Sequence, residues 1–405
     1  LTLTRADPAA WPPLAVIHIN HQLNPRAQLW ASHVEALCAA WSIPCTIKNV
    51  EVSDIALYGV EAAARLQRYD AFAETVGAHE LLLQAHHRDD QIETLLLRLL
   101  RGSGLAGLRS IPVSRPLGQA WLLRPWLDRS RAEIIDYAQA QGLQWIEDDS
   151  NADARYDRNF LRQRVLPLLA ERWPAYRDTL SRVVTQSGEA EALVQEIAAM
   201  DWQALDDGGE GLAIAGLQAL SPLRQRQVLR FWLRRQQLPT PSRAQLESVV
   251  GILAAAVDAE PCVGWPGVEV RRFHSRLYAM APLPPIATDF DLPWSPPLTT
   301  LHLPAGYGSL QAVAAVGAGL RTDRRYHVRN RRGGERCHPA AREHSQSLKK
   351  LLQEAGLAPW WRERVPLIYC DDELAAVGDL WICRGFAAAP QTPGWQPRWQ
   401  RPPVA

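Results

Sequence analysis

Apolar and polar positions along the first 150 residues alternate between two kinds of run. Short apolar stretches such as LAVIHI (14–19) and LLLQA (81–85) read as buried strands. Further strands are expected around 45–52 and near WLLRP (121–125). Between them lie amphipathic stretches: PRAQLWASHVEALCAAW (25–41), residues 60–76, Asp90 to about Leu100, and RAEIIDYAQAQ (131–141), with Gly142 as a C′ residue. Buried strands that do not themselves alternate, separated by helices, argue for an α/β fold with a parallel, doubly wound sheet.

Beyond residue 160 the pattern is mostly helical. Val228, Leu229, Trp232 and Leu233 recur at helical spacing beside a stripe of Arg226, Arg230 and Arg234. Prolines then crowd residues 282–297. VPLIYC (365–370) and LAAVGDLWIC (374–383) flank Asp371–Glu373 as a hairpin, and SLKKLLQEAG (347–356) reads as a short basic helix closed by Gly356. These shifts divide the chain into residues 1–180 as a catalytic α/β domain, 181–285 as a mainly helical central domain, 286–300 as a linker, and 301–395 as a small α+β domain.

Length and composition narrow the class. A chain of 405 residues exceeds one ordinary core. Its 47% hydrophobic and 21% charged content is that of a globular protein, with no apolar run long enough for a membrane span. Six scattered cysteines lack any C-x-x-C pair, which argues against a structural zinc site or a disulfide framework and for a cytoplasmic setting. A net charge of +1 conceals basic regions: 321–364 holds twelve Lys or Arg against five acids, and 222–245 holds six Arg and no acid. Such confinement fits a polyanionic ligand, although an arginine-rich surface alone would look similar.

The chemistry concentrates at strand ends. AHHRDDQIET (85–94) follows the strand 81–85, and His18, Asn20 and His21 follow the strand 14–19. In open parallel sheets ligands bind outside the carboxyl ends of strands. Asp90 with Glu93 three residues later also reads as a capping box, a purely structural alternative. RLLRGSGLAGL (98–108) matches G-x-G-x-x-G, but a helix precedes it, which rejects a dinucleotide site and leaves a glycine loop near Arg98 and Arg101. IEDDSNADARYDRNFLR (146–162) is a polar loop leading into a helix.

Taken in order, HINHQLNPRAQLWASHV, VEAAARLQRYDAF, AHHRDDQIETLLLRLLRGSGLAGL, LLRPWLDRSRAEI and IEDDSNADARYDRNFLRQRVLPLL resemble the signature blocks of the tRNA(Ile)-lysidine synthetases. These are members of the N-type ATP pyrophosphatase superfamily. VRNRRGGERCHP and SLKKLLQEAGLAPWWRERVPLIY resemble the family's C-terminal domain. The resemblance implies that ATP and Mg²⁺ are used to adenylate C2–O of the wobble cytidine in tRNA(Ile) with a CAU anticodon. Free L-lysine then displaces AMP. It implies a catalytic set of Asp90, Glu93, His87, Arg101 and Arg124, with Asp90 positioning lysine or Mg²⁺. His21, Asn20 and His87 would line the nucleotide pocket. Asp148, Ser150, Asn151, Arg158 and Asn159 match the block after the last strand, and Asp148, Asn151, Arg158 and Asn159 would contact the tRNA. Arg329, Arg331, Arg332, Lys349 and Lys350 would grip tRNA, and a homodimer is the assembly considered.

One departure stands out: no Ser-Gly-Gly occurs in the chain, whereas the family's ATP loop is S-G-G-x-D-S. LTLTRADPAAWPPLAVIHI looks like the tail of the helix after that loop followed by the second strand. The expectation is therefore that the first strand and the loop precede Leu1, and that this form cannot activate cytidine. A tRNA thiolase of the same superfamily and a non-catalytic tRNA-binding fragment are the alternatives.

Overall fold

The apolar runs of the N-terminal half become strands because their side chains are covered by intervening helices. β1 (Val16–Asn20) and β2 (Cys45–Asn49) pair in parallel, Val16 opposite Cys45, through the crossover helix α1 (Ala27–Ala40). α2 (Ile55–Tyr58) and α3 (Val60–Thr75) lead to β3 (Leu81–Leu83), and α4 (Arg88–Leu100) and α5 (Leu105–Leu108) follow. β3 pairs in parallel with β5 (Ala120–Leu123), Leu81 opposite Trp121. The computed structural model describes residues 12–53, 55–148, 153–256, 259, 261–286, 289–294 and 300–402.

The parallel α/β class read from the pattern holds, with one addition. β4 (Ser114–Leu117) turns back antiparallel onto β5 through Gly118–Gln119. Gly118 has φ +56°, as the first central residue of a tight hairpin requires. Among the described residues, β1–β2 and β3–β5–β4 are two separate hydrogen-bonded ladders. Ile17, Ile19 and Leu82 nonetheless pack with Phe72, Leu117 and Leu122 in one cluster.

α6 (Arg131–Ala140) starts at a Ser130/Glu133 capping box and ends before Gly142, φ +64°. α7 (Asp157–Phe160) continues through a π-helical turn, Leu161–Val165, into α8 (Leu166–Arg172), and α9 (Tyr176–Leu205) follows. Ile92 of α4, Leu166 of α8 and Tyr176 of α9 are buried together, which ties the segment after the sheet to the helix that carries the acidic motif.

The chain separates into two units, Leu1–Leu193 and Val194–Ala405. The second unit holds two cores. In the first, β6 (Leu212–Ala213), α10 (Ile214–Ala219), α11 (Pro222–Arg235), α12 (Arg243–Gly251), β7 (Cys262–Trp265), β8 (Val268–Phe273) and β9 (Arg276–Met280) gather around Val228, Leu229, Trp232 and Leu233. The helical spacing of those four residues is thus a core face. The domain is mainly helical, as read from the pattern, and adds the four-stranded antiparallel sheet β6–β9–β8–β7. Its pattern is hidden by Arg272, which is buried and donates to the carbonyls of Ile252, Leu253 and Ala255.

The second core is built on β10 (Asp291–Trp294), β11 (Leu301–His302), β12 (Ser309–Val316), β13 (Leu320–Arg321), β14 (Tyr326–Arg329), β15 (Arg336–Cys337), β16 (Gln346–Ser347), α13 (Leu348–Glu354), α14 (Pro359–Arg362), β17 (Leu367–Cys370), β18 (Glu373–Val377), β19 (Trp381–Ile382) and β20 (Pro393–Gln400). β10 lies inside the stretch read as a linker. It is an edge strand of β10–β14–β17–β18–β19, where Pro293 removes no interior ladder bond, and Trp294 is buried there. The β17–β18 hairpin turns at Asp371, φ +53°.

Candidate active site

The N-terminus of α4 carries the first half of the site. His87 is its N-cap: its Nδ1 accepts from the Asp90 N–H at 3.3 Å while its own N–H donates to Asp90 Oδ2 at 3.0 Å. The capping box is therefore His87–Asp90 and not Asp90–Glu93, and the helix begins at Arg88, two residues before the expected Asp90. Asp90 is held by this box, which fixes its carboxylate at the carboxyl end of β3.

Glu93, one turn on, has no exposed surface. Its carboxylate accepts from Arg158 Nε at 2.8 Å and from Arg162 Nε and Nη2 at 2.7 and 3.0 Å. Arg158 lies on α7 and Arg162 in the π-helical turn, so both face the same acid across α4. π-turns inside helices often mark functional sites because they re-aim side chains. Arg158 Nη2 also reaches Asp90 Oδ1 at 3.4 Å, and Arg162 Nη2 stands 3.9 Å from it. The neighbouring Asp89 accepts from the Arg131 N–H and from Arg177 Nε, each at 2.8 Å. Burial opposes the charge on Asp89, but these two donors outweigh it and hold its carboxyl below the usual range.

The second half of the site is cationic. Arg124, at the end of β5, is buried and spends its guanidinium on the Pro112 carbonyl (2.9 Å), the Tyr69 hydroxyl (3.1 Å) and His86 Nδ1 (3.3 Å). Burial pushes the His86 imidazole down to about 4. The Asp90 carboxylate pulls against this, and Arg124 reinforces it. His86 is thus neutral near pH 7. Tyr69 also lies under the guanidiniums of Arg115 and Arg65, at 4.2 and 5.1 Å from its ring. The preceding residue of the same helix, Arg68, donates to His21 Nε2 at 3.1 Å. Burial first, then Arg68 and His18, lower the His21 imidazole, and burial lowers His18. α3 therefore links the ends of β1 and β3 through Arg68 and Tyr69.

Residues 2–169 match the PP-loop domain family, 212–278 the TilS substrate binding domain and 326–399 the TilS substrate C-terminal domain. Over 399 residues the chain is 39% identical to the tRNA(Ile)-lysidine synthase of Coxiella burnetii, spanning 96% of this chain and 87% of that protein. The chain belongs to the tRNA(Ile)-lysidine synthase family. The lysidine synthases of Yersinia pseudotuberculosis and Serratia proteamaculans are 40% and 41% identical to it, each over 96% of this chain and 87–88% of their own length.

Within this family member the structure brings Asp90, Glu93, His87, Arg158 and Arg124 to the strand ends. Arg101 stands apart from that network: it is exposed and pairs with Asp157 at 3.3 Å. Asn20 is buried, and its Oδ1 accepts from the Gln22 N–H, which makes it the anchor of the turn after β1. Asn159 donates to the Asp153 carbonyl and fixes the loop before α7, and Asp148 is half-buried before it. Ser150 and Asn151 lie outside the described residues. Arg98 donates to the carbonyls of Gly107 and Ser110, so it closes the glycine loop instead of facing a ligand.

Sequence reasoning missed His86, Arg162, Arg177 and Tyr69. The signal for Arg162 was present: it follows Arg158 by four residues, one helical turn. Mg²⁺ does not fit Asp90 directly. Two guanidiniums stand beside that carboxylate and already meet its charge.

In the C-terminal domain three of the expected tRNA-gripping residues are already committed. Arg329 donates to Asp291 at 2.8 Å, Arg332 to Asp289 at 2.6 Å, and Arg331 donates to the Arg362 carbonyl while facing Glu335 at 3.5 Å. Lys350 stands 3.8 Å from Glu354, and Lys349 is exposed on α13. No helix among the described residues is long and apolar enough to cross a membrane, and all six cysteines are free thiols.

Proposed function

We propose that the protein makes lysidine: it ligates L-lysine to C2 of the wobble cytidine of tRNA(Ile) bearing a CAU anticodon, with ATP consumed to AMP and pyrophosphate. The observation that carries this reading is the alignment of 96% of the chain with tRNA(Ile)-lysidine synthases at about 40% identity. A cytosine carbonyl is a poor electrophile, so its oxygen must first take the adenylyl group while pyrophosphate departs. The lysine ε-amine then bonds to C2 and AMP leaves with the oxygen.

The polar arrangement at the strand ends suits that sequence. Asp90 is the least committed carboxylate of the acidic motif and is our candidate for the lysine amine, which must lose a proton before attack. Glu93 is a positioning residue that sets Arg158 and Arg162. Neutral His86 and His21, with Arg65, Arg68 and Arg115, line the cationic side and suit an anionic nucleotide. Arg124 acts through His86 and Tyr69. No residue is assigned to Mg²⁺. Lys349 and Lys350 offer charge to tRNA phosphates, and the free thiols fit a cytoplasmic setting. The test is nucleoside analysis of tRNA(Ile) incubated with ATP, lysine and the protein as its gene encodes it. Lysidine at the wobble position is the expected product, and unmodified cytidine at full AMP release would overturn the reading.

A further inference from the structure

A second cavity lies on the opposite side of α4 from Asp90 and Glu93. Its walls are the Arg88–Gln91 face of α4, the 109–113 segment, the turn after β5 and the 181–188 face of α9, and it encloses about 680 Å³. Of its lining, only Arg124 also belongs to the site described above, where its guanidinium meets His86 and Tyr69. Two of its buried polar atoms lack a partner: Arg88 Nε and Ser181 Oγ. Buried polar atoms are almost always satisfied by protein, water or ligand, so both can take a further partner here. They sit close together, since Arg88 Nη1 pairs with Asp178, one turn before Ser181 on α9, at 3.0 Å.

The remaining lining has a distinct chemistry. Ile111, Pro112 and Val113 give an apolar wall, and Val113 is 59% exposed despite its size. Gln91 clamps this wall to α4 by exchanging two hydrogen bonds with the Ile111 backbone, at 2.7 and 2.8 Å, so the slot is rigid. Arg109 is exposed at the mouth and makes no ion pair among the described residues. The one carboxylate there, Asp128, is turned to Arg129 at 3.6 Å. An apolar slot with unsatisfied donors inside and a guanidinium at its rim fits a nucleotide. A splayed nucleotide offers a flat apolar face, edge acceptors for the inner groups, and a phosphate for the cation.

We propose that this cavity receives a nucleotide of the RNA substrate other than the reacting cytidine, its base against Ile111–Val113 and its phosphate on Arg109. The inference rests on the proposed tRNA substrate. It is tested by equilibrium binding of a CAU-anticodon tRNA to the full-length protein across a salt series, which requires no catalysis. Two exposed positions are changed: Arg109→Gln removes the charge, and Thr185→Trp blocks the mouth. Each should raise Kd for tRNA at least threefold, and Arg109→Gln should lower the salt slope by about 0.7–0.9, the value of one phosphate contact. Arg109→Lys should restore most of the affinity, and the KM for ATP should not move in any variant. Wild-type Kd and slope in both blocking variants would overturn the inference, as would a change confined to ATP. Failure of the functional reading looks different: wild-type protein that binds tRNA but forms no lysidine.

Discussion

Glu93→Gln isolates the contact that joins the acidic motif to the arginines of the following block. The substitution keeps the shape of the side chain and removes its charge. Three charge-assisted hydrogen bonds between 2.7 and 3.0 Å are affected. A hydrogen bond to a charged group contributes about 1.5–3 kcal/mol. The sum is discounted here, because Arg158 and Arg162 remain 28% and 29% exposed and can turn to water, and because glutamine still accepts one bond. What remains is the cost of two guanidiniums facing a fully buried amide, about 2–4 kcal/mol. For a unit of roughly 190 residues this lowers the melting temperature by about 5–15 °C. Differential scanning calorimetry reads it directly, and Asp178→Asn, an exposed partner of Arg88 at 3.0 Å, serves as the comparison with an expected change below about 1 kcal/mol. A Glu93→Gln melting temperature within about 1 °C of wild type would refute the reasoning that Glu93 fixes Arg158 and Arg162.

Asp90→Asn should cost less than about 1 kcal/mol, because asparagine can still accept the His87 N–H, yet ligation should fall by about 10²-fold or more; paired melting and turnover measurements check both halves. His86 is lowered in the folded protein to about 4 from an ordinary 6.5. The unfolded chain therefore takes up the proton first, and stability is lost as pH falls from about 6.5 to about 4. His86→Gln should flatten the melting temperature over that window. Lys349→Gln with Lys350→Gln should raise KM for tRNA and reduce the salt slope by up to about 1.5, with ATP affinity unchanged. Arg331→Gln should instead lower stability, since its guanidinium holds the Arg362 carbonyl.

Much of this was legible along the chain because the relevant physics is local. Strand β1, helix α3 and the hairpin at Asp371 follow from runs of apolar residues and turn chemistry close in sequence. The strand-end clusters 18–21 and 85–94 were readable for the same reason. What was hidden is non-local. Nothing near Glu93 indicates that its partners are Arg158 and Arg162, about 65 residues on. Nothing near Arg124 indicates that a residue of its type would be buried against Tyr69 and His86. Arg272 shows the same limit in the sheet β6–β9–β8–β7: a charged residue at a core position breaks the alternation, and only the carbonyls it meets explain why it is tolerated. The basic run 321–364 was legible as a run, and its acidic partners were not. Its count of cations was right, but Asp289, Asp291 and Glu335 neutralise the arginines that looked most available.

The most direct test is incorporation of radiolabelled lysine into a tRNA(Ile) transcript with a CAU anticodon, by the protein as its gene encodes it, beside a transcript carrying uridine at the wobble position. The account predicts ATP-dependent labelling of the first and none of the second. Equal labelling of the two would contradict it.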